Sequence, residues 1–339
     1  MKRTPGTIVF LALGLAVGLR AQTIPRLSGM NAGACMGPAL SLASRPRLEG
    51  RGIASSNGPE EPPDISIIPV AGPVYMLESG GNGNVGIVTD PAGVFMIDAM
   101  EAEMAGKLRA ALEILPGGGP VRVLINTHWH WDHVNGNRAF GPAAVIVAQE
   151  NTRALNAADQ AMFGRTIPAL PAGALPVITY ADRMTAYAGS LALRLVHYPH
   201  AHTDGDTVIF IDALKIIHMG DMFFNGMFPF LDVQSGGNID NWVRQLDVIL
   251  AALPKDAKVI PGHGPLGGKS ELKGFRDMLF DSAELVREQM DKGRTLKEIQ
   301  AAGMPDRFTP WTKGFMPVSG WLELVYKSLE KNKGSGLNF

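Results

Sequence analysis

Eight histidines occur in the chain, none in the first 127 residues, and three of them then fall with an aspartate inside six positions as His128-Trp-His130-Trp-Asp132-His133. The segment follows the β-prone run Val121–Asn126, so it sits on a loop at a strand end, where the backbone can turn alternate side chains towards one point. Imidazole nitrogen and carboxylate oxygen at this density suit zinc, which takes such ligands at about 2.0–2.2 Å. Cys35 is the only cysteine, which removes any cysteine-based zinc site and any intramolecular disulfide.

His128 to His133 fits His-x-His-x-Asp-His at every position and resembles the signature of the metallo-β-lactamase superfamily. Further matches follow in order: His202 in His-Thr-Asp-Gly-Asp206, Asp221 in Gly220-Asp221, and His263 in Pro-Gly-His-Gly264. The turn Gly80-Gly-Asn-Gly-Asn84 and the strand end Ile97-Asp98 are similar to that family's N-terminal half. The resemblance covers roughly residues 65–265 and implies a four-layer αββα sandwich of the α/β class, with metals at one edge and a helical C-terminal extension. It also implies that His128, His130 and His202 bind one zinc, that Asp132, His133 and His263 bind a second, and that Asp221 bridges them. Iron or manganese are the alternatives to zinc. Two divalent ions about 3.5–4 Å apart can share a hydroxide, stabilise oxyanion charge and lower the pKa of bound water towards 7. No serine or cysteine nucleophile is then needed, and Asp132 is the candidate catalytic residue.

Other residues divide between supporting and packing roles. His200 sits two residues before His202 and competes with it, but the Thr-x-Gly-Asp context favours His202. His218 reads as a packed histidine or one that supports a ligand, and His197 as structural. Asp98 and Asp206 are expected to hydrogen-bond loops or ligating imidazoles. Of Trp129 and Trp131, one is expected to pack inward and the other to line the mouth. Phe223, Phe224, Met227, Phe228 and Phe230 form an apolar run that serves either as core or as a pocket wall. The Gly80–Asn84 turn lacks the Gly-Lys-Ser/Thr ending of a phosphate loop.

The resemblance spans lactamases, thioesterases, lactonases, sulfatases, phosphodiesterases, nucleases and iron-dependent redox enzymes, so local residues must choose among them. Zinc β-lactamases typically carry Cys or Ser where Asp221 stands, and many place a lysine where Phe224 stands. A bridging aspartate fits the broader hydrolase branch, with an ester, lactone, amide or related bond in a small-molecule substrate as the target. A true β-lactamase and an iron-containing redox member are the alternatives.

The positioning elements are legible as periodicities. Ile65–Val70, Val74–Glu78, Val85–Thr89 and Val94–Asp98 are short β-prone runs separated by Gly, Pro and Asn. Glu101–Leu115 carries apolar residues at helical spacing and ends at Pro116-Gly-Gly-Gly119. After Val121–Asn126 come a strand at Ala144–Ala148, a polar helix from Glu150, and a Pro- and Gly-rich loop at Pro168–Pro176. Strands resume at Leu191–His197, Thr207–Ile211 and Lys215–Met219, the last two joined by a tight turn at Asp212–Leu214. Asn238–Leu253 repeats apolar residues at three and four, as a helix laid on a sheet does. Val259–Ile260 is a strand leading into His263, and the tail reads as helices at Ser270–Met290, after a Thr295 cap with Glu298, and at Trp321–Leu329.

Composition bounds the rest. With 31 Lys and Arg against 32 Asp and Glu, no net field draws the chain to nucleic acid or an anionic membrane. Residues 1–21 pair a basic start at Lys2 and Arg3 with a short apolar run, which reads as a secretory signal peptide and places the protein in the periplasm or outside the cell. No stable membrane anchor is expected after its removal. Residues 22–64 read as a disordered leader, 65–268 as the catalytic domain, and 269–339 as helices packed on it.

Overall fold

The computed structural model describes residues 64–335; the signal peptide, Cys35 and all of the expected leader except Asp64 lie outside the described residues. The four N-terminal β-prone runs become an antiparallel meander of β1 (Ser66–Ala71), β2 (Val74–Glu78), β3 (Val85–Asp90) and β4 (Gly93–Ile97). Helix α1 (Ala105–Ile114) turns Ala105, Leu108, Ala111 and Leu112 inward, the single stripe that a helix on a sheet requires. The chain then enters β5 (Val121–Ile125), parallel to β4, and passes through the short helices α2 (Trp131–Val134) and α3 (Asn137–Phe140) to β6 (Val145–Gln149). After α4 (Glu150–Asn156), a separate hairpin of β7 (Gln160–Met162) and β8 (Arg165–Ile167) projects before β9 (Ile178–Tyr180). The first sheet is seven-stranded, in the order β1-β2-β3-β4-β5-β6-β9.

The second sheet runs in order through β10 (Arg183–Ala188), β11 (Leu191–His197), β12 (Thr207–Ile211), β13 (Ile216–His218), β14 (Lys258–Ile260) and β15 (Gly267–Gly268). Lys215 closes the β12–β13 turn with a left-handed φ of 54°. Helix α5 (Ile239–Ala252) provides the crossover that lets β14 lie parallel to β13. Helices α6 (Lys269–Asp291), α7 (Leu296–Ala302) and α8 (Val318–Ser335) complete the chain.

Three apolar cores separate four layers. Val74, Met76, Val88 and Ile125 of the first sheet meet Leu193, Leu195, Ile209 and Ile211 of the second. Leu108 and Leu112 of α1 cover the outer face of the first sheet with Ile87, Met96 and Leu124. Trp242, Leu246, Phe275, Leu279 and Trp321 of α5, α6 and α8 cover the second. The fold is therefore the αββα sandwich. Trp321 fixes the C-terminal helices: it is fully buried, stacks on Phe228 at 5.8 Å, and donates its indole N–H to Ser282 at 3.0 Å. Trp321→Ala is expected to cost about 3–5 kcal/mol in a denaturant titration, because the cavity it leaves cannot collapse fully.

The hairpin, β9 and β10 have no counterpart in the periodicity. Strands β7, β8 and β9 have only three residues each, and β10 alternates exposed residues with inward side chains as small as Ala186 and Ala188. Among the described residues, no helix is long and apolar enough to cross a membrane.

Candidate metal centre

Strand ends supply the site. His128 and His130 follow β5, with Asp132 and His133 on α2; His202 lies in the β11–β12 loop, Asp221 in the 3-10 turn after β13, and His263 in the turn after β14. Backbone bonds draw these loops together: Thr207 N–H donates to Thr127 carbonyl at 2.8 Å, and Asn84 N–H to Gly262 carbonyl at 2.7 Å. Asn84 Nδ2 also donates to the carbonyls of Pro261 (3.1 Å) and Gly264 (2.8 Å). Two glycines give the ligands room. A Cβ on Gly262 would stand 2.0 Å from Asp221 Oδ1, and one on Gly83 would stand 2.3 Å from the His133 ring.

The donor atoms gather into two sets. His128, His130, His202 and Asp221 form one, and Asp132, His133 and His263 the other, with the atoms of each set within 4.8 Å of one another. Asp221 faces both. Its Oδ2 lies 3.7 Å from His128 Nε2 and 3.4 Å from His202 Nε2, while its Oδ1 lies 3.0 Å from His133 Nε2 and 3.5 Å from His263 Nε2. Asp132 Oδ2 is 3.2 Å from His263 Nε2. His200 stays outside, paired with Asp204 at 3.0 Å, and His197 Nε2 bonds the Asp204 carbonyl.

The far side of each ring decides what the near side offers. His128 Nδ1 bonds Thr127 Oγ1 (3.0 Å), His130 Nε2 bonds Asp232 Oδ2 (3.2 Å), His133 Nδ1 bonds Asp98 Oδ2 (2.8 Å), and His202 Nδ1 bonds the Phe230 carbonyl (2.9 Å). Protons placed on these nitrogens leave bare lone pairs on the inner ones. Those inner nitrogens crowd together: His130 Nδ1 lies 3.0 Å from His128 Nε2 and 2.9 Å from His202 Nε2. Acceptors facing acceptors at such distances call for a cation between them, so the residues fit a pair of bound metals.

Electrostatics point the same way. Burial drives His128 well below its ordinary pKa and His202 down to about 3, so both rings are neutral at pH 7. Around His133 and His263 burial is outweighed by carboxylate charge: Asp221, Asp132 and Asp98 hold His133 well above its usual value, and Asp221 and Asp132 lift His263 to about 9. A site that pulls protons this strongly is one that divalent cations would fill instead.

Asp98 connects both sets. It receives the Thr127 hydroxyl at 2.7 Å and the Thr127 N–H at 2.8 Å, so it backs His128 through Thr127 and His133 directly. It holds this place with a left-handed φ of 63°, which a short polar residue tolerates. Asp98→Ala is expected to weaken metal affinity by about 10–100-fold in a chelator competition. Asp206 braces the loop of His202, accepting the N–H groups of His202 (2.7 Å) and Thr203 (2.9 Å). His218 is buried behind the site with its ring against Gly86, and burial lowers it to about 4.

A cleft of about 450 Å³ opens over Asp132, Asp221 and His263. Trp131 lines it, whereas Trp129 is buried against His130 at 4.7 Å. Phe224 does not form a wall: it is fully buried and stacks behind His263 at 5.0 Å, and Met227 and Phe230 of the same run face the cleft instead. Phe163 at the hairpin tip and Lys313 and Phe315 from the C-terminal region also line it. The sequence reading missed these three and Asp232. Asp232 lies 102 residues from its partner His130, with no motif around it.

Known proteins match this arrangement. A 22% identical stretch of 148 residues, 44% of this chain and 55% of the relative, aligns with a metallo-beta-lactamase type 2 from Bacteroides fragilis. The chain thus spans about half the length of that curated relative. Among solved structures, a metallo-beta-lactamase from Pontibacter korlensis superposes with a TM-score of 0.52 at 21% identity, over 64% of this chain and 99% of that one. A stereoselective inverting sec-alkylsulfatase from Pseudomonas sp. gives 0.60 at 17% identity, over 81% of this chain and 52% of that one. The family model described as metallo-beta-lactamase superfamily matches residues 79–263, which hold all seven gathered ligand candidates. With more than half of its length inside that match, the chain belongs to the metallo-beta-lactamase superfamily.

Proposed function

We propose that the protein is an exported di-zinc hydrolase that cleaves an ester, lactone, amide or related bond in a small molecule with an apolar body. The convergence of two donor sets on the two oxygens of Asp221 is the observation that carries this reading. His128, His130, His202 and Asp221 would hold one ion, and Asp132, His133, His263 and Asp221 the other. Bound there, the ions supply Lewis-acid polarisation of the scissile carbonyl and a nucleophile at neutral pH.

The chain's own residues do the rest. Asp132 is the most open of the site's carboxylates, with 16% of its side chain exposed to the cleft against 4% for Asp221. It is placed to orient attacking water and take its proton. Trp131, Phe163, Met227, Phe230 and Phe315 bind the apolar flank of the substrate and exclude water from the reacting bond. A screen of p-nitrophenyl esters, lactones and amides on zinc-reconstituted protein, with and without chelator, tests the reading; chelator-insensitive hydrolysis would refute it. The N-terminal sequence of protein recovered from the periplasm tests export.

Hydrolysis of β-lactams is the second reading. Phe224 stands where many such enzymes hold a lysine, but Lys313 brings an ammonium to the same cleft and has no ion-pair partner among the described residues. Nitrocefin turnover that disappears in Lys313→Ala would favour it.

A further inference from the structure

Beyond the hairpin lies a second cavity of about 580 Å³. It shares Glu101, Trp131, Met162 and Phe163 with the cleft over the metal ligands, so the two spaces meet along one wall. Its own lining adds Arg138 from α3 and Arg165 from β8. Neither arginine has an ion-pair partner among the described residues. Arg109, Arg153 and Arg194, by contrast, are tied to the carbonyls of Ala139 and Pro176 and to the carboxylate of Asp212. Glu101 is the one acid among the residues that line this cavity. The lining thus carries two guanidinium groups without an ion-pair partner against one carboxylate.

Apart from Glu101, the wall between the two spaces is apolar, built from Trp131, Met162 and Phe163, and it is held in place by the turn. Phe163 and Gly164 occupy the two-residue loop with φ of 50° and 71°, the pattern of a type I′ hairpin turn. The left-handed conformation costs a phenylalanine energy that a glycine or asparagine would avoid. It sets the Phe163 ring 6.0 Å from Trp131 and 4.8 Å from Phe230 while leaving the residue 58% exposed.

We propose that the cleft and this cavity form one extended groove, and that the substrate is an elongated molecule whose apolar middle crosses Trp131 and Phe163 while an anionic end group is held by Arg138 and Arg165. Guanidinium groups suit this task because each presents a planar fork of donors to a carboxylate. The inference rests on the hydrolase reading for what happens at the other end of the groove, but the binding itself requires no turnover.

Calorimetry on the zinc-reconstituted chain tests it with two ligand series, straight-chain monocarboxylates and α,ω-dicarboxylates of equal carbon count from C6 to C12. At one or more lengths the dicarboxylate is expected to bind at least about tenfold more tightly, the size of one added charge-assisted contact. That preference should fall to near unity in R138A/R165A and in the milder R138Q/R165Q; both positions are exposed. A wild-type chain with no preference at any length, or a double variant that keeps it, would overturn the proposal. A chain that shows the preference yet hydrolyses no ester, lactone, amide or lactam would sink the hydrolase reading and leave the groove standing.

Discussion

Asp221→Ala is expected to remove both metals and to cut turnover by a factor on the order of 10³ or more, the upper range for losing one preorganised electrostatic group. The reason is geometric. Its Oδ2 faces the His128 and His202 nitrogens at 3.7 and 3.4 Å, and its Oδ1 faces those of His133 and His263 at 3.0 and 3.5 Å. Among the described residues no other carboxylate presents one oxygen to each set, so its loss cannot be confined to one. The metal-free variant should unfold at nearly the same temperature as the metal-free parent, since Asp221 holds only other ligand candidates. The zinc-dependent gain in melting temperature should disappear, because binding to the folded state is what produces that gain. Mass spectrometry under native conditions and a paired thermal scan check both parts, and retention of two ions would overturn the bridging role.

Asp132→Ala carries the second largest effect and a different signature. Asp132 touches only the second set, through His263 at 3.2 Å and His133 at 3.7 Å. One ion should therefore remain, held by His128, His130, His202 and Asp221, while kcat falls by about 10²–10⁴, the range for a positioned acid–base group. Asp132→Asn keeps the shape and one oxygen but not the negative charge. It should recover part of the metal affinity and little of the rate. If the alanine variant turned over at the parental rate with a single ion, the second set would be dispensable and Asp132 would have no catalytic part.

The ligand candidates were legible because coordination demands particular atoms. Imidazoles and carboxylates crowded into six positions have few other uses, and the remaining three lie at loop signatures such as Pro-Gly-His-Gly264. Helix α5 was legible for an equally physical reason: a helix laid on a sheet must repeat its apolar residues at three and four. The cleft walls were not. Phe163 stands on three-residue strands that carry no periodicity, and Lys313 and Phe315 lie in a tail whose visible pattern was its helices. Phe224 had the right place in the chain for a wall, yet the core of α5 and α6 claims it. Asp232 shows the general limit. A single carboxylate that supports one imidazole across 102 residues leaves no spacing for a sequence to display.

Counting the metals in the purified, zinc-reconstituted chain by inductively coupled plasma mass spectrometry is the most direct test of the two-set centre. Two zinc ions per chain are expected, falling to one in His263→Ala and to none in Asp221→Ala. A wild-type chain that holds fewer than two ions at saturating zinc, or a His263→Ala variant that still holds both, would contradict it.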